Sequence, residues 1–229
     1  MQDISDLEKK IKVKFKNKNL LRQALVHRSY LNEHKDFELD HNERLEFLGD
    51  AVLELITTEF LYNKFSNPEG ELTNFRAALV NRKMLAKISE EIGLDEYLLM
   101  SRGESNDTGR ARQYIIANAL EALIGAIYLD QGYDKAKKFI ENYFLCKMDD
   151  ILNEKLYQDA KSRFQEEAQE KVGATPVYQV VKEWGPDHDK HFLVGVFLND
   201  EKIAEGEGIS KQAAQRKAAE EGLKVKEWE

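Results

Sequence analysis

The sequence predicts an all-α domain followed by a small α+β domain of the order α-β-β-β-α. Apolar residues recur at helical spacing from Asp6 to Leu129, whereas strand-like alternation begins only in the last third of the chain. A chain of 229 residues can bury one large or two smaller cores. We therefore expect a helical domain over 1–152, a linker over 153–158 and a second domain over 159–229.

The helical prediction for the first domain depends on two amphipathic segments, "LLRQALVHRSYL" and "LEFLGDAVLELITTEFLYNKF". A turn is predicted at "SNPEG" and a polar loop at "SRGESNDTGRAR". The amphipathic stretch "YDKAKKFIENYFLCKMDDIL" closes the domain. The polar segment from Asn153 to Gln158 is then the predicted linker.

The second domain begins with the helical segment "DAKSRFQEEAQEKVG", which ends at Gly173. Two strands follow, "TPVYQVVKEW" and "HFLVGVFLND", and "GPDHDK" joins them. A third strand, "KIAEGEGI", leads into a last helix with Ser210 at its N-cap position. About 70 residues in this order predict two helices packed on one face of an antiparallel sheet.

Composition limits the classes of protein and partner. The chain is 42% hydrophobic and 33% charged, with a net charge of -8, and both domains are acidic. Bulk charge therefore does not favour a nucleic-acid partner, and any such binding requires local patches. A single cysteine, Cys146, excludes an internal disulfide and a Cys-rich zinc site. The sequence shows neither a membrane span nor a secretory signal, so we expect a cytoplasmic protein without a membrane partner.

Two polar residues interrupt the apolar segment "YIIANALEALIGAIYLD". Asn118 and Glu121 are three positions apart and share one face of the predicted helix. An unpaired buried carboxylate costs several kcal/mol, so Glu121 must lose its charge or contact a cation. That cation is either a metal ion or a side chain such as Arg76 or Arg82.

A second pair of carboxylates lies in "NERLEFLGDAV", where Glu46 and Asp50 are four positions apart and Glu43 is one turn earlier. If this helix packs beside the other, the side chains that converge are Glu46, Asp50, Asn118 and Glu121. Oxygen ligands of this kind suit Mg²⁺, which retains water that can attack a phosphodiester. The alternative is that Glu43, Glu46, Asp50 and Glu54 form a solvated helix face.

Four segments together resemble bacterial ribonuclease III: "ALVHRSYLNE", "HNERLEFLGDAVL", "GELTNFRAALVN" and "ALEALIGAIYLD". The second of these is similar to the signature of the family. The C-terminal α-β-β-β-α segment resembles a double-stranded RNA-binding domain. The resemblance implies a homodimeric endonuclease that cuts both strands of duplex RNA with Mg²⁺, or with Mn²⁺ in its place, and leaves 5′-phosphate and 3′-hydroxyl ends.

The resemblance also implies roles for individual residues. Glu46, Asp50, Asn118 and Glu121 match the metal-binding positions, and Asp50 and Glu121 among them match the catalytic ones. Glu43 matches a residue at the dimer contact, and Glu71 in "GELTNF" matches an acidic position near the scissile region.

Position 118 departs from the family pattern, which has Asp where this chain has "ANALEA". An amide oxygen can bind Mg²⁺, but it carries no negative charge and cannot accept a proton from water. We therefore expect the fold and the dimer to persist while metal affinity and cleavage rate fall. An engineered inactive form that traps uncut RNA would have the same residue at this position.

Duplex RNA is recognised by shape, through contacts across two minor grooves and the intervening major groove, over about 16 base pairs. By resemblance, the contact residues are Gln165 and Gln169 on the first helix of the domain, His188 in "GPDHDK", and Lys211, Gln212 and Gln215 at the start of the last helix. The positive end of that helix favours phosphate. Its sequence "SKQAAQ" contains fewer lysines than the family pattern.

Three functions remain open from the sequence. The first is a Mg²⁺-dependent double-strand ribonuclease that is slowed by Asn118. The second is a non-catalytic protein that binds duplex RNA and uses the nuclease fold for dimerisation. The third is a helical metal-dependent phosphohydrolase acting on a small nucleotide, with the C-terminal domain as an interaction module.

Overall fold

The computed structural model describes residues 3–105, 109–154, 156–157, 159–186 and 190–228. The chain divides into two compact units, Met1–Tyr157 and Gln158–Glu229. The first is helical and the second has the order α-β-β-β-α, so the predicted fold class is confirmed. In the part of the chain that the structure describes, no helix is long and apolar enough to cross a bilayer.

The first unit contains ten described α-helices and two 3₁₀ turns. The helices are α1 Ile4–Ile11, α2 Lys18–Ala24, α3 Arg28–Glu33, α4 Glu43–Lys64, α5 Glu69–Val80, α6 Arg82–Ile92, α7 Arg102–Ser105, α8 Arg110–Gln131, α9 Tyr133–Tyr143 and α10 Met148–Asn153. The 3₁₀ turns span Leu94–Tyr97 and Leu145–Lys147. The second unit contains α11 Ala160–Val172, β1 Val177–Trp184, β2 His191–Leu198, β3 Glu201–Gly208 and α12 Lys211–Val225.

The predicted loop "SRGESNDTGRAR" is partly helical, which corrects the sequence-based expectation. It contains α7 and the first residues of α8. The Ser101 hydroxyl accepts a hydrogen bond from the backbone N–H of Glu104 at 3.3 Å, which satisfies a donor at the start of α7. Arg112 then holds this segment by donating to the carbonyl oxygen of Glu104 at 3.3 Å.

Several helices begin and end at residues that satisfy their free backbone groups. Side-chain N-caps precede several of the described helices, including those that begin after Asp3, Asn17, Asn81, Asp159 and Ser210. Gly93 and Gly173 end α6 and α11 in the left-handed region, with φ of 65° and 68°. Glycine adopts this conformation without the steric cost that a Cβ imposes.

The core of the first unit is built around α8, which packs against α4. The two helices approach most closely at Gly49 and Gly125. A Cβ at Gly49 would overlap the backbone carbonyl of Glu121, and one at Gly125 would overlap that of Leu45. The absence of side chains at these two positions lets the backbones meet. The polar residues of α4 and α8 on either side of this crossing are therefore brought together.

The second unit is an antiparallel sheet of order β1-β2-β3 covered by α11 and α12. Phe164 of α11 and Ala218 of α12 are fully buried with Val196 of β2. A Cβ at Gly206 of β3 would overlap the backbone N of Ala218, so this glycine allows α12 to lie directly on the sheet. Both helices thus share one core with one face of the sheet.

Candidate functional site

The acidic stripe of α4, formed by Glu43, Glu46, Asp50 and Glu54, lies in several different environments. Glu46 is half-buried and Asp50 is exposed. Glu54 forms an ion pair with Arg76 at 3.2 Å, and Arg76 also donates to the hydroxyl of Thr58 at 3.0 Å. Arg76 therefore neutralises the end of the stripe on α4. The sequence had left Arg76 open as a partner of Glu121, and the structure gives Arg76 these other partners.

Glu121 of α8 lies at the centre of the remaining carboxylates. Burial and, to a lesser extent, the negative charges of Asp50 and Glu46 together raise the pKa of Glu121 to about 7, against the opposing effect of Arg82. These charges act on Glu121 because the glycine crossing brings α4 and α8 into contact. The structure thus brings Glu46, Asp50 and Glu121 into one electrostatic cluster.

Asn118 belongs to the same cluster. Burial and the charge of Glu43 raise the pKa of Glu46, and a hydrogen bond from the Asn118 side chain opposes this rise. The amide stabilises the ionised form of Glu46 by donating an N–H. A carboxylate at position 118 would repel Glu46 instead. Asn118 therefore lowers the repulsion within the cluster when no cation is bound.

Glu43 and Glu71 form contacts with residues outside these four, although the charge of Glu43 also raises the pKa of Glu46. Glu43 pairs with Arg28 at 3.3 Å and lies 3.8 Å from the ring nitrogen of His41. Glu71 is exposed on α5 and accepts a hydrogen bond from the amide of Asn67 at 2.6 Å. Glu71 is absent from the described groups that shift the pKa of Glu121. The structure does not bring Glu71 into the cluster.

Two further features near the cluster were missed by the sequence reasoning. The guanidinium carbon of Arg82 lies 3.6 Å from the centroid of the Tyr114 ring. Large apolar side chains on α4 face solvent: Phe47 is 82% exposed and Tyr62 is 77% exposed. These two residues and three more exposed ones follow helical spacing along α4: Phe47, Ala51, Leu55, Thr58 and Tyr62. That spacing was visible in the sequence, but the exposure of the face was not.

In the second unit, Gln165 and Gln169 are exposed on the same face of α11. They line a surface depression of about 530 Å³ together with Ser162, Glu166 and Glu170. The depression thus presents both amide and carboxylate groups. His188, the predicted contact between β1 and β2, lies outside the described residues.

The start of α12 presents the remaining predicted RNA contacts. Lys211 and Gln212 are exposed, whereas Gln215 is half-buried and accepts a hydrogen bond from Lys161 at 2.8 Å. Ser210 caps the helix by accepting from the backbone N–H of Ala213 at 3.2 Å. The free amides of this first turn and the charge of Lys211 make the end of α12 locally positive within an acidic chain.

Comparison with known proteins assigns both units. Residues 17–148 match the family model described as ribonuclease-III-like, and residues 160–226 match that of the double-stranded RNA binding motif. The chain is 47% identical to ribonuclease 3 of Natranaerobius thermophilus over 95% of this chain and 94% of that one. It is 44% identical to ribonuclease 3 of Enterococcus faecalis over 96% of each chain.

A solved structure supports the assignment of the first unit. The nuclease domain of ribonuclease III from Campylobacter jejuni superposes with a TM-score of 0.56 and 44% sequence identity. The match covers 62% of this chain and 99% of that one, and that structure was described as flexible in a region involved in dimer formation.

Enzymes of this family require a divalent metal cation, and the cluster on α4 and α8 has suitable donors. It offers three carboxylates and one amide oxygen, which are hard ligands of the kind such cations prefer. Among the described side chains, no three His, Cys, Asp or Glu residues already converge as a metal-binding group. Binding of a cation at this cluster would therefore require its side chains to rotate towards one another. From both family models, the curated relatives and the solved nuclease domain, the chain belongs to the ribonuclease III family and is a ribonuclease that contains a double-stranded RNA-binding domain.

Proposed function

We propose that this chain is a Mg²⁺-dependent endonuclease that cleaves both strands of duplex RNA in the cytoplasm, at a rate limited by Asn118. The observation that carries this proposal is the cluster of Glu46, Asp50, Asn118 and Glu121 at the contact between α4 and α8. Burial and mutual repulsion destabilise the negative charge of the carboxylates in this cluster, and a bound divalent cation would offset this destabilisation. A duplex-RNA-binding unit on the same chain supplies the substrate.

Glu46, Asp50, Glu121 and the side-chain oxygen of Asn118 would hold the cation, with Mn²⁺ as an alternative to Mg²⁺. When bound, it supplies Lewis-acid stabilisation of the charge that develops on the phosphate. Asp50 is exposed at the edge of the cluster. In this proposal it would orient the attacking water and accept its proton. Glu121 is held rigidly by the buried helix α8.

Asn118 weakens this site in two ways. Its oxygen adds no negative charge, so the attraction for a cation is smaller than with a carboxylate. Its amide group also donates to Glu46, so both side chains must reorganise before they share a ligand. These effects lower metal affinity and cleavage while leaving the buried surface of α8 unchanged.

The Asn118→Asp variant tests the proposal. We expect its rate of cleavage of a labelled duplex RNA to exceed that of the native chain on the order of a hundredfold, because the site gains a negatively charged ligand for the cation. Asn142→Asp, at an exposed position on α9, introduces the same chemical change away from the cluster and should have no effect. The assay is run with Mg²⁺ and with Mn²⁺.

A thermal measurement separates metal binding from turnover. The metal-free Asn118→Asp chain should melt at a lower temperature than the native chain, because a fourth carboxylate replaces a hydrogen bond to Glu46. Added Mg²⁺ should then raise its melting temperature more, because tighter binding stabilises the folded state more. Equal cleavage and equal Mg²⁺ shifts would show that the amide is a fully competent ligand.

The second candidate function, a non-catalytic duplex-RNA-binding protein, is favoured specifically by the amide at position 118. It predicts that the native chain binds duplex RNA without cutting it and that Asn118→Asp does not restore cleavage. The proposed RNA contacts are the same in both cases: Gln165, Gln169, His188, Lys211, Gln212 and Gln215. Cleavage by Asn118→Asp therefore distinguishes the two functions.

We also infer a homodimer, because one cluster in each chain serves one strand and a two-fold axis supplies a second cluster. The exposed apolar face of α4 supports this inference. Phe47, Leu55 and Tyr62 present large apolar side chains to solvent along one helix, and such continuous faces are typical of protein interfaces. Glu43, at the start of α4, remains the proposed polar contact.

A further inference from the structure

Arg82 and Tyr114 form an exposed stacked pair between α6 and α8. The guanidinium carbon lies 3.6 Å from the ring centroid, which is the arrangement of a close cation–π contact. Within the described residues, Arg82 makes no hydrogen bond or ion pair. The stack therefore fixes the plane of the guanidinium while leaving its N–H donors available.

The pair lies beside the carboxylate cluster. Tyr114, Asn118 and Glu121 occupy positions i, i+4 and i+7 of α8 and share one face, so Tyr114 is one turn before Asn118. The charge of Arg82 acts on Glu121. Of the described groups that shift the pKa of Glu121, Arg82 is the only positive one.

Two other arginines of the unit, Arg28 and Arg76, are engaged elsewhere. Arg28 pairs with Glu43 at 3.3 Å. Arg76 pairs with Glu54 and donates to Thr58. These side chains would lose a partner by turning to a substrate, whereas Arg82 would not.

The charges of the occupied site also favour a role for Arg82. Three carboxylates are balanced by the two charges of a divalent cation and the single charge of Arg82. The cluster would then present no net negative charge to the phosphodiester backbone. A carboxylate at position 118 would leave one negative charge in excess, so Arg82 suits the amide that this chain carries.

We propose that Arg82, held flat against Tyr114, binds a non-bridging phosphate oxygen of the RNA strand that is cut at the carboxylate cluster. This inference rests on the proposed function. A planar guanidinium can donate two parallel hydrogen bonds to a phosphate, which an ammonium group cannot match. The aromatic ring reduces the rotamer freedom that such a contact would otherwise cost.

Steady-state cleavage of duplex RNA with Mg²⁺ tests the proposal, both in the native chain and in the Asn118→Asp background. Arg82→Ala should raise KM about tenfold or more, because a charge-assisted hydrogen bond is lost. The value of kcat should change little, since the contact is present in both the ground and transition states. Arg82→Lys should recover part of the loss, and Tyr114→Leu should show a smaller rise in KM.

Lys83→Ala is the matched control, because Lys83 is the exposed neighbour on α6 and makes no hydrogen bond or ion pair with a described residue. It should leave KM unchanged. The dependence of log(kcat/KM) on log[salt] should become shallower by about 0.7 to 0.9 in Arg82→Ala and stay unchanged in Lys83→Ala.

The decisive comparison uses RNA substrates in which single phosphates around the cut site are replaced by neutral methylphosphonates, with KM measured for the native chain and for Arg82→Ala. At the contacted phosphate, neutralisation should raise KM for the native chain and have no further effect on Arg82→Ala. An unchanged KM in Arg82→Ala would overturn the inference, and so would a joint fall of kcat and melting temperature in that variant. In either case, cleavage by the parent chain would still uphold the proposed function. Absence of cleavage in both backgrounds would overturn the proposed function and the inference together.

Discussion

Glu121 and Asn118 share one face of α8 but act in opposite directions on its electrostatics. Glu121 carries a carboxyl group whose pKa is raised to about 7 by burial and by neighbouring carboxylates. Asn118 reduces the repulsion at Glu46 by hydrogen bonding. A divalent cation would offset the electrostatic repulsion between Glu121 and its neighbouring carboxylates. Because the Asn118 amide already reduces the repulsion at Glu46 and adds no negative charge, the stabilisation gained from the cation is smaller. The residue that lowers the repulsion in the metal-free chain is thus the one that we propose to weaken metal binding.

The spacing of Asn118 and Glu121 was sufficient to predict that they share one face of a helix, but it could not identify the cation nearest to Glu121. Arg76 and Arg82 were equivalent partners for Glu121 in the sequence. The structure separates them because Arg76 lies against Glu54 and Arg82 lies on Tyr114. Neither choice depends on local spacing, since both arginines reach across to a different helix.

His27 makes folding stability dependent on pH. Its Nδ1 atom accepts the backbone N–H of Ser29 at 3.3 Å and so caps α3. Burial lowers the pKa of His27, opposed by Glu104 and Glu43, while Arg28 and His41 also lower it. The folded state therefore binds fewer protons than the unfolded state near the ordinary histidine pKa of about 6.5.

The contribution of His27 is fully present above pH about 6.5 and is lost as the pH falls through the lowered value. We expect His27→Asn, which keeps a capping oxygen without titrating, to reduce the loss of melting temperature between about pH 7 and pH 5. His34→Asn, at an exposed histidine after α3, is the control and should follow the native profile. Identical profiles for all three chains would contradict this role of His27.

At the scale of elements, the crossing of α4 and α8 decides whether a site exists. Helical periodicity predicted both helices, and the resemblance supplied the pairing of their polar residues. The closeness of the crossing was not predictable from periodicity, because Gly49 and Gly125 are ordinary small residues in the sequence. Only the packed backbones show that a Cβ at either position would overlap the facing helix.

Gly49→Ala tests this crossing. The new Cβ would meet the backbone carbonyl of Glu121, which cannot move without displacing α8. We expect a loss of about 1–3 kcal/mol in the free energy of unfolding, measured in urea without metal. Cleavage should fall as well, because separation of the helices separates Asp50 from Glu121.

Gly70→Ala is the matched control for that change. Gly70 lies in α5, and a Cβ there would meet no atom within 4 Å. Replacement by Ala should leave cleavage unchanged and stabilise the fold by up to about 1 kcal/mol, because alanine is the better helix former. A stable and fully active Gly49→Ala chain would show that the close approach is unnecessary.

At the scale of the whole molecule, the change from helical to strand-like periodicity was enough to predict two units and their element order. The position where the first unit ends was harder to predict. The segment from Asn153 to Gln158 is polar in composition, yet Tyr157 packs edge-on against Phe75, with ring centroids 4.6 Å apart. This contact packs Tyr157 against the first unit, whose bounds include Tyr157, and composition averaged over a short segment cannot reveal such a contact.

On one face of α4, the apolar side chains of Phe47, Leu55 and Tyr62 remain largely exposed to solvent. An exposed phenylalanine contributes nothing to the monomer core, and its burial in a dimer removes apolar surface from water. In a two-fold dimer the same face meets itself, so a charge placed there would meet its own copy or an apolar neighbour. Phe47 is therefore the position where one substitution should act most strongly.

Phe47→Asp should convert the protein to a monomer in size-exclusion chromatography with light scattering. Its melting temperature in the monomeric state should change little, because Phe47 is 82% exposed and substitutions at such sites usually alter stability by less than about 0.5 kcal/mol. Cleavage of both strands should be lost, since one carboxylate cluster cannot serve two strands. Val225→Asp, at a 61% exposed residue of α12, is the control and should remain dimeric and active. A Phe47→Asp chain that stays dimeric would show that this face of α4 lies outside the interface.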